Sequence, residues 1–273
     1  MPELKCPVCG EVLRPAEKTL QCVRGHSYDR ARQGYVNLLM SNAASAKRHG
    51  DDRQMVLARQ AFLEKGYYGC LRDALCAAAL QHTSGSVELL DAGCGEGWYT
   101  CAVRDALTQA GRACHACGVD ISREALKCAA RRDRTLTLAV SSVSALPVRD
   151  GSCDLVLSVF APTHDAEFRR VLRPGGILLR AVPLEEHLWG LKAAVYDRPY
   201  RNPAPRGETE GFRLLDRREI RDRLTLTDPE EIRQLFQMTP YYYKTGRADQ
   251  AKLLALDRLE TELAFCVFAL ERV

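Results

Sequence analysis

One stretch, Glu88-Leu89-Leu90-Asp91-Ala92-Gly93-Cys94-Gly95-Glu96-Gly97-Trp98, constrains the fold more than any other part of the 273 residues. It joins an apolar run, Val87–Asp91, to a helical pattern over Tyr99–Gln109 through glycines at alternate positions. A strand that turns sharply into a helix needs backbone freedom of that kind. The rhythm then recurs. Ala113–Asp120 reads as a strand, Ser122–Arg131 as a helix, Leu136–Val140 and Cys153–Phe160 as strands, and Asp165–Leu172 as a helix. Pro174-Gly175-Gly176 turns into a further strand, Ile177–Val182. Alternation of this type predicts an α/β fold, a mainly parallel sheet with helices on both faces and ligands at the carboxyl ends of the strands.

Outside that region the pattern is weaker. Apolar residues recur at helical spacing from Asp52 to about Leu80, interrupted by Gly66-Tyr67-Tyr68-Gly69, with a second helix at Leu71–Leu80. The polar stretch Ser41 to Asp52 reads as a linker or loop. Leu184–Tyr196 looks helical, Arg198–Gly211 is a Pro- and Gly-rich loop, and Asp228–Gln237 is a short helix capped by Asp228. Phe265–Leu270 closes the chain as a strand, and residues 184–250 are the least legible part.

What the glycine loop binds follows from its charge. A dinucleotide fingerprint reads G-x-G-x-x-G and leaves room for a pyrophosphate. Here the spacing is G-x-G-x-G with Asp91 immediately before it, and a carboxylate there favours a cationic ligand over a diphosphate. Asp120, 23 residues past Gly97 at the end of the next strand, is placed to accept hydrogen bonds from ribose hydroxyls. Either acid has a plainer role as well, Asp91 bracing the turn and Asp120 capping the next helix.

A second chemistry sits at the N-terminus. Cys6-Pro7-Val8-Cys9 is followed by Cys22 and His26, spaced C-x2-C-x12-C-x3-H. Two tight turns carrying three thiolates and one imidazole form a closed tetrahedron for Zn²⁺, a structural site with no position open to reactive water. Such a metal folds a segment too short to build its own core. Twelve cysteines in a chain whose first residues lack a secretory apolar run point to thiols and metal ligands rather than disulfides. Cys114 and Cys117 also show C-x2-C spacing, but within a strand, where they read as packed core thiols.

No run approaches ~20 consecutive apolar residues, so the reading is a cytoplasmic protein with no membrane partner. The net charge of +4 is small, yet residues 1–60 carry ten Lys/Arg against six Asp/Glu, so the whole surplus lies there. A polyanion would meet the N-terminal part first.

The glycine loop resembles motif I of the class I S-adenosylmethionine-dependent methyltransferases. Further matches follow in order: Asp120, then Ser141-Ser142-Val143-Ser144-Ala145-Leu146-Pro147 as the adenine-side loop, Asp154–Phe160, and Leu172-Arg173-Pro174-Gly175-Gly176. Ser142 stands where that class often has an acid. With the metal quartet, Gly34-Tyr35-Val36-Asn37-Leu38-Leu39, Arg59–Tyr68, Phe160-Ala161-Pro162 and Gln237-Met238-Thr239-Pro240, the chain is similar over nearly its full length to the RlmA family of bacterial 23S rRNA guanine-N1-methyltransferases.

That resemblance implies transfer of a methyl group from S-adenosylmethionine to N1 of a guanine in the hairpin 35 loop of 23S rRNA, with a link to tylosin-type macrolide sensitivity. It implies zinc at Cys6, Cys9, Cys22 and His26 in a module that recognises RNA. It also implies cofactor contacts from Tyr68, Gly95, Glu96 and His187, beside Asp91, Gly93, Gly97, Asp120 and Ser142. The expected division is a zinc module at 1–36, a linker with helices at 37–80 and a Rossmann-like methyltransferase domain at 81–273. Phe160 and Tyr241-Tyr242-Tyr243 are candidates to hold an unstacked base, and His164 is a candidate proton acceptor, although a capping role suits it better. No catalytic base is assigned, and a homodimer is left open. A small-molecule methyltransferase with a stabilising zinc ribbon is the competing enzyme reading, and an RNA-binding module without catalysis the non-enzymatic one.

Overall fold

The first forty residues carry too few apolar side chains for a core of their own. In the computed structural model, which describes residues 2–40 and 50–273, they borrow one. Strands β1 (Arg14–Ala16), β2 (Thr19–Gln21) and β3 (Ser27–Asp29) form a small antiparallel sheet. Leu4, Leu13 and Leu20 of this module join one buried apolar cluster with Leu90, Cys117, Ala139 and Phe168 of the main body. The Leu4 backbone bridges to Val148, the Lys5 N–H donates to the Pro147 carbonyl (2.9 Å) and the Arg149 N–H donates to the Glu3 carbonyl (2.9 Å). The next strand, β4 (Tyr35–Asn37), joins the main sheet itself, so the expected boundary between 36 and 37 falls inside a strand. Most of the stretch read as a linker, 41–49, lies outside the described residues.

The Asp52 carboxylate accepts from the Met55 N–H (3.0 Å) and starts α1 (Arg53–Glu64), and α2 (Gly69–His82) follows the expected break at Gly66. The alternation then unfolds in order: β5 (Val87–Ala92), α3 (Trp98–Gln109), β6 (Cys114–Asp120), α4 (Arg123–Arg132), β7 (Thr137–Val140), β8 (Cys153–Val159), α5 (Asp165–Val171) and β9 (Leu172–Pro183). Pro174-Gly175-Gly176 does not precede the last of these strands. It bulges within it, between Leu172, paired with Cys153, and Ile177, paired with Leu155.

Past Pro183 the expected helix Leu184–Tyr196 shortens to α6 (Trp189–Val195), because Leu188 adopts a left-handed conformation (φ 57°) that a helix cannot run through. Arg198–Gly211 has no regular element, as expected. It is followed by a long strand that the sequence pattern does not announce, β10 (Phe212–Leu226). Then come α7 (Pro229–Gln237), α8 (Arg247–Leu254) and β11 (Leu259–Arg272), the last extending well beyond the expected Phe265–Leu270.

The eight main strands lie in the order β10-β11-β9-β8-β5-β6-β7-β4, with β11 antiparallel to both neighbours. Period-two burial assigns the faces. Leu89, Leu155, Leu157 and Leu179 pack with helices α2, α3 and α4, whereas Leu90, Val156, Leu178 and Phe268 point to α5 and the N-terminal module. The module therefore stands where further helices would cover the sheet. The glycine loop and the Phe160 loop both sit at the carboxyl ends of the parallel strands. Among the described residues no helix is long and apolar enough to cross a membrane.

Candidate functional site

The four N-terminal ligands converge as their spacing predicts. Cys6, Cys9, Cys22 and His26 present ligand atoms that all lie within 4.8 Å of one another. Cys9 and Cys22 sulfurs are 3.6 Å apart, and His26 Nδ1 lies 3.6 Å from Cys6 Sγ and 3.4 Å from Cys22 Sγ. A tetrahedral ion with metal–sulfur bonds of about 2.3 Å sets sulfurs about 3.8 Å apart, so the quartet fits zinc. Each cysteine turn closes through a glycine in the left-handed region: Gly10 N–H donates to the Cys6 carbonyl (2.8 Å, φ +77°) and Gly25 N–H to the Cys22 carbonyl (3.0 Å, φ +84°). Burial raises the Cys6 thiol pKa, but the Tyr28 hydroxyl at 3.1 Å and the Val8 and Cys9 backbone amides outweigh it and bring the value down to about 6. Tyr28 was not foreseen, since nothing in the sequence sets it apart from other module residues.

The glycine loop, the candidate cofactor cradle, is shaped by backbone. Gly93, Gly95 and Gly97 all have positive φ (92°, 55° and 81°). A Cβ on Gly93 would lie 2.6 Å from that of Ala161, which follows Phe160 on the neighbouring loop. The Asp120 carboxylate accepts from Gly95 N–H (2.8 Å) and Ser122 N–H (2.8 Å), so it ties the loop to the start of α4 and still has lone pairs for hydroxyl donors. Burial raises its pKa. Asp91 is buried and accepts from the Thr100 hydroxyl (2.6 Å), while its Oδ1 has no partner among the described residues. Burial pushes its pKa up to about 7. Each of these acids thus braces backbone or helix and keeps acceptor capacity free. The motif reading does not single out Thr100, although its place three residues after the last glycine, in the first turn of α3, is a legible signal.

Three expected features behave differently from one another. The Glu96 carboxylate is almost fully buried and held by Arg132, which donates from Nε at 2.9 Å and Nη2 at 2.5 Å. Burial nevertheless raises its pKa. Ser142 caps the short turn Val143–Ala145, accepting from Ser144 N–H (3.2 Å). Tyr68 and His187, 119 residues apart, meet with hydroxyl and Nε2 3.3 Å from each other. The His187 Nδ1 accepts from the Ala264 N–H (3.3 Å), and burial lowers the ring's pKa to about 3. The imidazole is therefore neutral, carries its proton on Nε2 and donates it to the tyrosine oxygen, which frees the Tyr68 hydroxyl proton for a ligand.

Phe160 completes this wall. Its ring lies nearly parallel to His187 (interplanar 15°, centroids 6.4 Å apart) and 5.8 Å from Phe265. It is 44% exposed and has φ +55°, a strained conformation for an aromatic residue at the end of β8. His164 is the N-cap residue of α5, without a side-chain cap bond. The tyrosine run divides: Tyr242 packs on Phe236, Tyr243 donates its hydroxyl to Asp52, and Tyr241 donates to Asn202 (3.3 Å). Cys114 and Cys117 lie within β6, and Cys117 is fully buried.

Comparison with known proteins agrees with both halves of this geometry. The family model of the RlmA N-terminal zinc ribbon matches residues 4–47, and a methyltransferase-domain model matches residues 90–180. A Micromonospora griseorubida protein bearing a 23S rRNA (guanine-N(1)-)-methyltransferase name is 39% identical over 208 residues, 69% of this chain and 68% of its own. The 23S rRNA (guanine(748)-N(1))-methyltransferase of Streptomyces fradiae is 38% identical, covering 68% of this chain and 65% of its own. A Bacillus subtilis protein with the same type of name is 32% identical over 92% of this chain and 90% of its own. Taken with the zinc-sized quartet and the G-x-G-x-G cradle, these similarities show that the chain belongs to the RlmA family of S-adenosylmethionine-dependent, zinc-ribbon 23S rRNA (guanine-N1-)-methyltransferases.

Proposed function

We propose that this protein methylates N1 of a guanine in the hairpin 35 loop of 23S rRNA, in the cytoplasm where that RNA is made, and thereby tunes sensitivity to tylosin-type macrolides. The observation that carries the reading is the cysteine–histidine quartet fixed to the same sheet whose carboxyl edge bears the acidic glycine loop. When bound, S-adenosylmethionine supplies an electrophilic methyl on a sulfonium, so no metal is needed at the reacting atom.

The residues of the cradle then divide the work. Gly93, Gly95 and Gly97 let the backbone approach the cofactor, and Glu96 contributes through its backbone because Arg132 occupies its carboxylate. Asp91 faces the cationic amino-acid end, Asp120 accepts from the ribose hydroxyls, Ser142 borders the adenine, and the Tyr68 hydroxyl donates with His187 holding it in place. Cys6, Cys9, Cys22 and His26 hold zinc, and the module they stabilise grips the RNA. Guanine N1 carries a proton at neutral pH that must leave before or during attack, so the site must align N1 with the methyl–sulfur axis. An unpaired loop base costs least to present, and the exposed Phe160 ring is suited to stack on it.

The test is to incubate the protein with labelled cofactor and 23S rRNA and then map the product by primer extension. Methyl on N1 blocks Watson–Crick pairing and stops the polymerase at one guanine of hairpin 35. Label on carbon, on ribose or on another base rejects the proposal, and label on small molecules alone favours the competing enzyme reading.

A further inference from the structure

The cradle is flanked by a cation that none of the roles above uses. Arg59, on α1, forms an ion pair with Asp51 through Nη1 and donates from Nη2 to the Met238 carbonyl (3.0 Å). The Asp51 carbonyl accepts in turn from the Ser122 hydroxyl (2.7 Å), and Ser122 is the residue whose N–H binds Asp120. The guanidinium is thus anchored beside the carboxyl end of β6.

Its charge reaches four groups on four separate segments. It counters the effect of burial at Tyr68 before α2, Tyr99 in α3, Glu96 in the glycine loop and Asp120 at the end of β6. The same Asp120 carboxylate that Ser122 N–H binds also accepts from Gly95 N–H, so the Asp51–Ser122 link sets the guanidinium at the edge of the glycine loop. The Tyr99 hydroxyl, in the first turn of α3 directly after the glycine loop, is buried and has no hydrogen-bond partner among the described residues. Two of the five guanidinium N–H donors are engaged, leaving donors in a fork suited to a carboxylate.

The methionyl end of the cofactor carries a carboxylate as well as an ammonium. Asp91 and Asp120 already border the cradle with carboxylates, so a carboxylate entering it needs a cation and hydrogen-bond donors. Resting on the cofactor reading above, we propose that Arg59, assisted by the Tyr99 hydroxyl, binds that carboxylate, and that the Met238-Thr239-Pro240 turn holds the guanidinium in position. A distant C-terminal turn thereby takes part in cofactor recognition: its carbonyl aims an arginine 179 residues earlier in the chain.

Calorimetry on the zinc-loaded full-length protein tests this without catalysis. S-adenosylhomocysteine keeps the carboxylate, whereas 5′-methylthioadenosine lacks the amino-acid end. The wild type should prefer the former by at least ~10-fold. Arg59→Met should weaken S-adenosylhomocysteine by ~10-fold or more and leave methylthioadenosine within about twofold, since charge-assisted bonds are lost from one ligand only. Arg59→Lys, which keeps the charge but not the fork, should fall between, and it serves if the methionine variant does not fold. Tyr99→Phe should cost S-adenosylhomocysteine a smaller factor. Unchanged S-adenosylhomocysteine affinity in the Arg59 variants overturns the proposal, as does equal weakening of both ligands, which marks a structural role. Wild-type protein that binds neither ligand refutes the cofactor reading itself.

Discussion

The proposed metal site and the proposed cofactor cradle answer the same problem, holding a small group in fixed geometry, by opposite means. In the module four side chains converge within a 21-residue span, beside three strands of three residues each. In the cradle the backbone does the holding: positive-φ glycines, two amides on Asp120 and a buried threonine on Asp91. A site made of ligands exists only with its metal, because four uncompensated donors do not order so short a chain. A site made of backbone is in place as soon as the sheet folds. The two also sit in different places, the module on the α5 face of the sheet and the cradle at the carboxyl ends of the strands, with helices α2 to α4 on the other face.

The contrast can be broken most directly at the metal. Cys6→Ala with Cys9→Ala, or rigorous chelation, should remove zinc and lower methylation of 23S rRNA by ~100-fold or more, while S-adenosylhomocysteine affinity stays within a few-fold. Metal analysis, a methylation assay and calorimetry read the three quantities. Loss of cofactor binding together with zinc would mean that the two sites are one cooperative unit.

The reverse experiment is Gly93→Ala. The added methyl meets Ala161 at 2.6 Å and the residue must keep φ +92°, so the loop has to move. Cofactor affinity should fall by tens-fold while zinc content is unchanged, the mirror image of the cysteine variants. A smaller effect is expected from Phe160→Ala. Loss of one base-stacking face is worth about 1–3 kcal/mol, so kcat/KM for RNA should drop ~5- to 150-fold, with S-adenosylhomocysteine binding little altered. An unchanged RNA rate would return the strained ring to a packing role.

The same contrast explains what the sequence revealed. The quartet was legible because ligand spacing is local, and the sheet from Val87 to Val182 because helix and strand periods alternate cleanly there. Strand β10 was not legible: it is an edge strand exposed along most of its length, with Arg213, Arg217, Arg221 and Arg223 interleaved with acids, so no apolar face marks it. The pairing of Tyr68 with His187 and of Arg59 with Met238 was hidden for another reason. Those contacts are made by topology across 119 and 179 residues, and no local pattern encodes them. The segment between α6 and β10 hides similarly. Buried Lys192 donates to the Tyr200 carbonyl (3.1 Å) and the Asn202 side chain (2.7 Å), and Arg180 donates to the Arg206 carbonyl (2.9 Å). These cations satisfy carbonyls of a segment without regular structure, which a helix would have satisfied itself.

The smallest effect sharpens the comparison, because a preformed cradle stores a cost that a metal site does not. Asp91 has an ordinary pKa near 3.8 when unfolded, and burial raises it to about 7 in the folded protein. Between those values the folded state holds a proton that the unfolded state has released, so stability falls as pH rises through that window and levels off above it. Asp91→Asn removes the titration while keeping a side chain that accepts from Thr100. In thermal melts of cofactor-free protein the variant should therefore gain on the wild type as pH goes from about 4 to about 7, and its S-adenosylhomocysteine affinity should be weaker because the ammonium loses its counter-charge. Parallel melting curves across that range would show that Asp91 ionises as freely folded as unfolded, and its unpartnered oxygen would then have to be solvated rather than waiting for a cation.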